Sequence, residues 1–391
     1  MSRRVPMTTD KPVGATVADY RYMARALTLA ERGRYTTHPN PRVGCVIVAQ
    51  GQIVGEGWHM RAGEPHAEIY AIRQAAERSR GATVYVTLEP CCHQGRTAPC
   101  TNALIAAGIT RVVAAMADPN PQVAGQGFAQ LQQAGIEVCV GVAQAQARAL
   151  NPGYLSRLER GRPWLRVKLA MSLDGRTALA DGTSRWITGE AARRDVQRLR
   201  ASAAAILTGS GTVLADDPRL DVRLPGHLSG PADEVMSWPQ PVRVILDSQG
   251  RCPASARIFA PPGQALLFTQ TPTAVDWPAS VEVQRLPIIG ERLDLHAVLA
   301  DLARRELGEV LVESGPVLAG ALLSERLVDE LVIYMAPHLL GDGARGLLHL
   351  PQIARMENRL ELDIKQIRAI GQDWRITAVP RYPESAHAAA S

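Results

Sequence analysis

The sequence predicts an α/β protein built from two domains, and three observations lead there. The chain has 391 residues, more than one ordinary hydrophobic core serves. Strand-like and helix-like apolar runs alternate along most of its length, the pattern of sheets covered by helices. A stretch dense in turn residues and charge, Asn151-Pro152-Gly153 to Gly161-Arg162-Pro163, interrupts that alternation and marks the boundary between the halves.

The elements follow in order. Residues 1–17 read as a flexible tail. Asp19 can cap a helix whose apolar positions Met23, Ala26, Leu27 and Ala30 keep helical spacing. Residues 43–48 and 53–58 are short apolar runs split by Ala49-Gln50-Gly51-Gln52, which predicts a hairpin. Residues 66–79 are rich in Ala and Glu and predict a helix. Strands at 83–88, 111–116 and 136–140 then alternate with helices at 102–107 and 128–134, so the later strands should run parallel. In the second half, strands are expected at 164–170, 204–207, 242–246, 265–268, 309–312 and 331–336. A helix is expected at 190–202 with Thr188 as its cap. Residues 224–241, rich in Pro, Gly and Ser, read as a loop insertion. These elements set domains at 18–160 and 161–382, with a loose tail from 383 to 391.

Composition narrows the function. Apolar residues make up 46% and charged residues 21%, enough for proper cores. Aromatics at 4% argue against a base-stacking surface. The net charge is +5, yet no run of five or six like charges occurs, so no nucleic-acid partner is expected. No secretory h-region opens the chain and no run of 18 apolar residues occurs. A cytoplasmic protein without a membrane partner is the expectation. The six cysteines, Cys45, Cys91, Cys92, Cys100, Cys139 and Cys252, do not suggest a disulfide framework in such a chain.

Three of those cysteines fall within ten residues, and their context carries chemistry. His66-Ala67-Glu68 is followed by Pro90-Cys91 and then Cys100. One imidazole and two thiolates suit zinc and leave a fourth place for water. Glu68, not itself a ligand, would take that water's proton and hand it to a departing amine. On an ideal helix His66 and Glu68 would point about 200° apart; both reach one site if they lie in the first turn. Pro90 suits the start of a helical turn at Cys91, and Cys100 opens a second helix, where thiolates are favoured. The usual zinc-deaminase spacing is Pro-Cys-x-x-Cys; here Gln94 stands where the second cysteine belongs, so Cys100 must serve. The intervening loop carries His93 and Arg96, both suited to a polar or phosphorylated ligand. Cys45, Cys139 and Cys252 read as structural, and Cys92 as a bystander. Asn40, between two prolines, is a turn residue by default, although deaminases need an amide to read a heterocycle's edge. His59 is equally readable as a packed histidine or a ligand contact.

The second half shows no dinucleotide fingerprint. In Gly209-Ser210-Gly211-Thr212-Val213-Leu214, leucine replaces the third glycine, and Asp216-Asp217-Pro218 stops any helix. Another phosphate cradle is available. Glu313-Ser314-Gly315-Pro316 runs from a strand into a helix with proline at its first position, which leaves amides free for a pyrophosphate. An ordinary strand-to-helix turn has the same sequence.

These residues resemble the bifunctional riboflavin-biosynthesis deaminase–reductase family across nearly the whole chain. The matching stretches are residues 37–44, 63–68, Leu88-Glu89-Pro90-Cys91 through Gly95–Cys100, 168–176, Trp186-Ile187-Thr188, 214–218 and 313–316. The eight-residue gap between the thiols is what this family shows. The resemblance implies a cytidine-deaminase-like three-layer domain followed by a dihydrofolate-reductase-like domain. It implies zinc on His66, Cys91 and Cys100, with Glu68 as proton carrier. It implies NADPH contacts at Ala170, Trp186, Thr212, Asp216, Ser248 and at Gly315, Pro316, Val317, Leu318, Ala319, Gly320 and Ala321. It implies substrate contacts at Ser184, Arg200, Leu220, Arg223 and Glu313. The substrate would be a phosphorylated diaminopyrimidine, deaminated and then reduced from ribosyl to ribityl, in a homo-oligomeric enzyme. Two competing assignments are a tRNA or nucleotide deaminase with an unrelated C-terminal domain, and a structural zinc protein, which would need a fourth ligand such as His93.

Overall fold

The computed structural model describes residues 14–93, 98–184, 186–226, 228–229, 235–271 and 275–383. The chain divides into two compact units, with the break after Arg160.

The first unit runs α1 (Val17–Ala30), β1 (Gly44–Ala49), β2 (Gln52–Trp58), α2 (Ala67–Ala75), β3 (Thr83–Val86), α3 (Cys100–Ala106), β4 (Arg111–Ala114), α4 (Gln126–Gln133), β5 (Glu137–Val140), α5 (Gln144–Leu150) and α6 (Pro152–Arg160). Its sheet has the order β2-β1-β3-β4-β5. The tight hairpin makes β1 and β2 antiparallel, and β1 also pairs antiparallel with β3. β3, β4 and β5 are parallel, as strands joined through the crossover helices α3 and α4 must be. Ala67, Ala71, Leu104, Phe128 and Leu131 pack α2, α3 and α4 on one face. Met23, Ala26, Leu29 and Ala147 pack α1 and α5 on the other. The result is the three-layer arrangement expected. β2 can lie close to α2 because Gly55 and Gly57 carry no Cβ: one added there would stand 2.2 Å from the carbonyl oxygens of Ala71 and Ala67 respectively.

Two expectations are corrected here. The cap of α1 is Thr16; Asp19 is the third residue of a capping box, and each side chain accepts the other's backbone N–H. The N-terminal tail therefore ends before residue 16. The turn-rich segment after Asn151, expected to mark the boundary, carries a helix before the break. Pro152 begins α6, because proline at a first helical position forfeits no bond.

The second unit runs β6 (Trp164–Ser172), α7 (Glu190–Ser202), β7 (Ala205–Gly209), α8 (Ser210–Asp216), β8 (Val242–Leu246), β9 (Ala265–Thr269), β10 (Val281–Arg285), α9 (Leu295–Arg304), β11 (Glu309–Glu313), α10 (Pro316–Ser324), β12 (Glu330–Ala336), β13 (Glu361–Ile370) and β14 (Asp373–Arg381). Among the described residues they form a sheet of order β10-β9-β8-β7-β11-β6-β12-β14-β13. Neighbours are parallel from β10 to β12 and antiparallel beyond. α9 and α10 cover one face through Val298, Leu299, Leu322 and Leu323. α7 and the segment around Ile258 and Phe259 cover the other.

α7 has the expected span, but its N-cap is Gly189, not Thr188. Its end is closed from outside, where Gly189 N–H donates to Asp373 Oδ2 at 2.7 Å. The expected loop at 224–241 contains a short ribbon, Leu228–Ser229 with Val235–Met236. β10, α9, β13 and β14 were not anticipated. β13 hides because its pairing with β14 shifts register between Ile364 and Gln366, and a bulge breaks the alternation that betrays a strand.

Candidate active sites

In the first unit, three element ends meet. His66 is the N-cap of α2, in extended geometry (φ −76°, ψ 167°), and Glu68 lies inside the first turn. That extended residue resolves the angular problem of an ideal helix, because His66 does not follow helical geometry at all. Cys91 lies in irregular chain after β3, so the helical turn expected at Pro90 is absent. Cys100 is the first residue of α3, as expected. Cys91 still benefits from that helix, since Cys100 N–H donates to Cys91 Sγ at 3.4 Å. The Cys91 loop is anchored by the preceding residue. The buried Glu89 carboxylate accepts backbone N–H groups from Asp118, Gly125, Gly127 and Phe128 at 3.1, 3.0, 3.0 and 3.3 Å.

His66 Nδ1 stands 3.5 Å from Cys91 Sγ and 3.3 Å from Cys100 Sγ, and the three donor atoms lie within 4.8 Å of one another. A tetrahedral zinc with Zn–S near 2.3 Å and Zn–N near 2.0 Å asks for donors about 3.5–4 Å apart, so the set fits. Cys91 is drawn down to about 4 by the hydrogen bond from Cys100, against burial and with help from His66. The same bond and burial push the Cys100 thiol up. Pairing with Cys91 raises His66.

Glu68 is 3% exposed, and its Oε2 has no hydrogen-bond partner among the described residues. Burial pushes its carboxyl up to about 7 in the metal-free protein, while His66 pulls the other way. A buried carboxylate oxygen left unsatisfied is costly and marks a candidate for chemistry. Beside it, Asn40 Nδ2 lies 3.0 Å from His59 Nε2, and His59 Nδ1 lies 3.2 Å from the Pro65 carbonyl oxygen. Burial lowers His59 to about 4, so the ring is neutral at pH 7. It stands edge-on to His66, with centroids 5.3 Å apart. His93 Nδ1 is buried without a partner among the described residues. Arg96 lies outside the described residues. Cys45, Cys139 and Cys252 are buried, and Cys92 is half-buried.

The second unit has a cleft of about 1350 Å³ at the carboxyl ends of its parallel strands. Every expected cofactor and substrate residue lines it except Ala319 and Gly320. Those two are corrected. Ala319 is wholly buried in the core. Gly320 faces the His349 backbone, whose carbonyl oxygen would be 2.0 Å from an added Cβ. Gly315 is the N-cap of α10 with Pro316 following, and its N–H donates to Thr212 Oγ1 at 3.2 Å.

The cleft's polar centre is an ion pair. Arg200 Nε and Nη2 donate to Glu313 Oε1 and Oε2 at 2.6 and 3.0 Å, and Arg200 Nη1 donates to the Asp221 carbonyl oxygen at 3.1 Å. Burial opposes the Glu313 carboxylate, but Arg200, Lys168 and Arg223 outweigh it and hold the group ionised. The Asp221 carboxylate takes both Arg219 and Arg223. Lys168 escaped the sequence reading. Burial lowers its pKa, with Glu313 opposing and Arg200 reinforcing. Its alternation with Ala170 along β6 was the available signal.

Comparison with known proteins finds a match for each half of the chain. The cytidine and deoxycytidylate deaminase zinc-binding region matches residues 16–116, and the RibD C-terminal domain matches residues 163–376. The riboflavin biosynthesis protein RibD of Escherichia coli is 52% identical over 91% of this chain and 97% of its own. This chain belongs to the RibD family. An Acinetobacter baumannii RibD structure superposes with TM-score 0.84 at 42% identity, covering 93% of this chain and 99% of that one. A second structure, a diaminohydroxyphosphoribosylaminopyrimidine deaminase/5-amino-6-(5-phosphoribosylamino)uracil reductase from Thermotoga maritima, gives 0.81 at 31% identity, covering 93% and 99%. As a RibD, the chain is a bifunctional deaminase and reductase of riboflavin biosynthesis acting on a small molecule. Its first domain is a zinc-binding deaminase, and its second is of the kind that takes a nucleotide cofactor. The tRNA-deaminase assignment falls, because the family match runs through both halves.

Proposed function

We propose that the first unit hydrolyses the 2-amino group of 2,5-diamino-6-ribosylamino-4(3H)-pyrimidinone 5′-phosphate and that the second reduces the product's ribosyl group with NADPH. The observation that carries the first reaction is the His66–Cys91–Cys100 triangle with the buried Glu68 carboxylate two residues after His66, one of whose oxygens has no partner among the described residues. Those three residues would hold zinc, which supplies Lewis acidity that makes water nucleophilic near neutral pH. Glu68 takes the proton from the attacking water and delivers it to the leaving amino group. Asn40, held by neutral His59, is placed to read the heterocycle's edge.

In the second unit, the free amides at the start of α10 suit a pyrophosphate, and NADPH bound there supplies the reducing equivalent. Lys168, Arg200, Arg223 and Glu313 orient the phosphorylated sugar in the cleft. The two activities divide at residues 18–160 and 161–382. Among the described residues no helix is long and apolar enough to cross a membrane. The exposed Leu362, Ile364 and Ile367 on edge strand β13 support a homo-oligomer. The deciding experiment supplies the diaminopyrimidine phosphate and NADPH to the full chain and follows ammonia and nicotinamide absorbance together. Ammonia release without substrate-dependent NADPH loss would refute the second half, and the converse the first.

A further inference from the structure

We propose that Arg251 makes this enzyme choose NADPH over NADH by taking the cofactor's 2′-phosphate. The inference rests on the nicotinamide-dinucleotide reading above and adds the residue that sets cofactor preference. The strand order decides where each part of a dinucleotide can lie. Across the carboxyl edge run β8, β7, β11 and β6. The chemical centre, Lys168 and the Arg200–Glu313 pair, belongs to β6, α7 and β11. The pyrophosphate cradle is the start of α10, directly after β11. With the nicotinamide half turned toward β6, the adenosine half must extend the other way, over β7 and β8. Strands are spaced about 4.8 Å apart, so β8 lies about 10 Å from β11, within reach of an adenosine ribose.

At that end of the cleft stand Ser210, Ser248 and Arg251. Arg251 Nη2 donates to Ser210 Oγ at 3.0 Å, which draws the guanidinium toward the turn that opens α8. Among the described residues it bonds there to a hydroxyl and to no carboxylate. Four other arginines of the cleft are paired with carboxylates, Arg200 with Glu313, Arg194 with Glu190, Arg219 and Arg223 with Asp221; Arg257, Arg292 and Arg345 also line it without an ion pair among the described residues, but only Arg251 is drawn by a hydrogen bond to the turn that opens α8. Arg193 lies over Trp186 and donates to the Thr188 carbonyl oxygen. Arg251 thus offers a planar fork of donors, the geometry that suits a phosphate dianion. The bare diol of NADH offers it no charge.

The test uses the full chain and two probes. Adenosine 2′,5′-bisphosphate and adenosine 5′-monophosphate are titrated by calorimetry into wild type and Arg251→Ala. NADPH and NADH are compared as reductants of the deaminated intermediate in the same proteins. The expected result is that Arg251→Ala weakens the bisphosphate and lowers kcat/KM for NADPH by about 10- to 100-fold, leaving the monophosphate and NADH unchanged, while Arg251→Lys recovers part of the loss. Equal bisphosphate affinity in wild type and Arg251→Ala overturns the proposal. So does a loss of preference in Arg257→Ala with none in Arg251→Ala. Wild type that oxidises neither cofactor on the intermediate refutes the dinucleotide reading instead.

Discussion

Arg42 and Asn151 exchange two hydrogen bonds across the first domain. Arg42 N–H donates to Asn151 Oδ1 at 2.7 Å, and Asn151 Nδ2 donates back to the Arg42 carbonyl oxygen at 2.9 Å. Arg42 Nη1 also reaches the Leu150 carbonyl oxygen at 2.8 Å. The side chain of a junction residue between α5 and α6 thereby stands in for a strand neighbour just ahead of β1, two residues after Asn40. Asn151→Ala leaves buried backbone groups unpaired, at a cost of about 1–3 kcal/mol each. We expect lower resistance to urea in the deaminase activity and a raised deaminase KM, with NADPH oxidation on the intermediate little changed.

Glu68→Gln should separate metal binding from proton transfer. The amide is nearly isosteric and Glu68 is not one of the three donors, so zinc stoichiometry by elemental analysis should hold. Ammonia release should fall by about 10²–10⁴-fold, with reduction of pre-deaminated substrate intact. Substantial deamination by this variant would remove Glu68 from its role.

Cys100→Ser should remove both zinc and deamination, since a hydroxyl is a poor substitute for thiolate. NADPH oxidation on the deaminated intermediate should survive. The first site's ligands all come from residues before the break at Arg160, and parallel loss of both activities would contradict that independence.

Acid should act on the first domain through Asp19. This carboxylate is 1% exposed and bonds to Arg111 Nη1 at 2.8 Å, to Tyr85 Oη at 2.8 Å and to Thr16 N–H at 2.8 Å. Burial alone would raise its pKa, but Arg111, Thr16 and Tyr85 outweigh it and hold the group well below the usual carboxylate range. A depressed folded pKa contributes stability that is whole above the unfolded value near 3.9 and is lost as pH falls below it. Asp19→Asn should cost about 1.5–3 kcal/mol at pH 7 by weakening the charge-assisted bonds to Arg111, which keeps Glu137 at 2.9 Å. The gap between the two proteins should stay level down to about pH 4 and close below it, as measured by urea unfolding against pH.

Glu313→Gln tests the cleft's ion pair. It leaves Arg200 facing a neutral amide in a site where both side chains are 11% exposed, so about 3 kcal/mol of second-domain stability should go. Reductase turnover should fall while ammonia release persists. Arg200→Lys should lose most of the same activity, because an ammonium cannot hold two carboxylate oxygens in a plane. Full reductase activity in either variant would show the pair to be scaffolding.

Much of this was legible in one dimension. The hairpin around Gln50-Gly51, the span of α7 and the Pro316 start of α10 follow from local chemistry, where turn residues and capping dominate. Elements were misread where distant groups replaced local signals. Asp373 closes α7 from elsewhere in the sheet. Ala319 and Gly320 looked like cradle residues because they follow Pro316, but a helix turns successive side chains about 100° apart, and these two face the core and His349.

By itself, the order of residues determined which donors exist, their type and their spacing, and that the chain needs two cores. Ligand chemistry resides in side-chain atoms, and periodicity in apolar positions, so both can be read without coordinates. Tertiary structure alone decided that His66 sits outside its helix, that Cys91 takes its amide from the next one, that Asn40 meets His59, and that Lys168 shares a cleft with Arg200 and Glu313. Those meetings depend on which strands lie side by side, and strand order is set by the packing of whole layers.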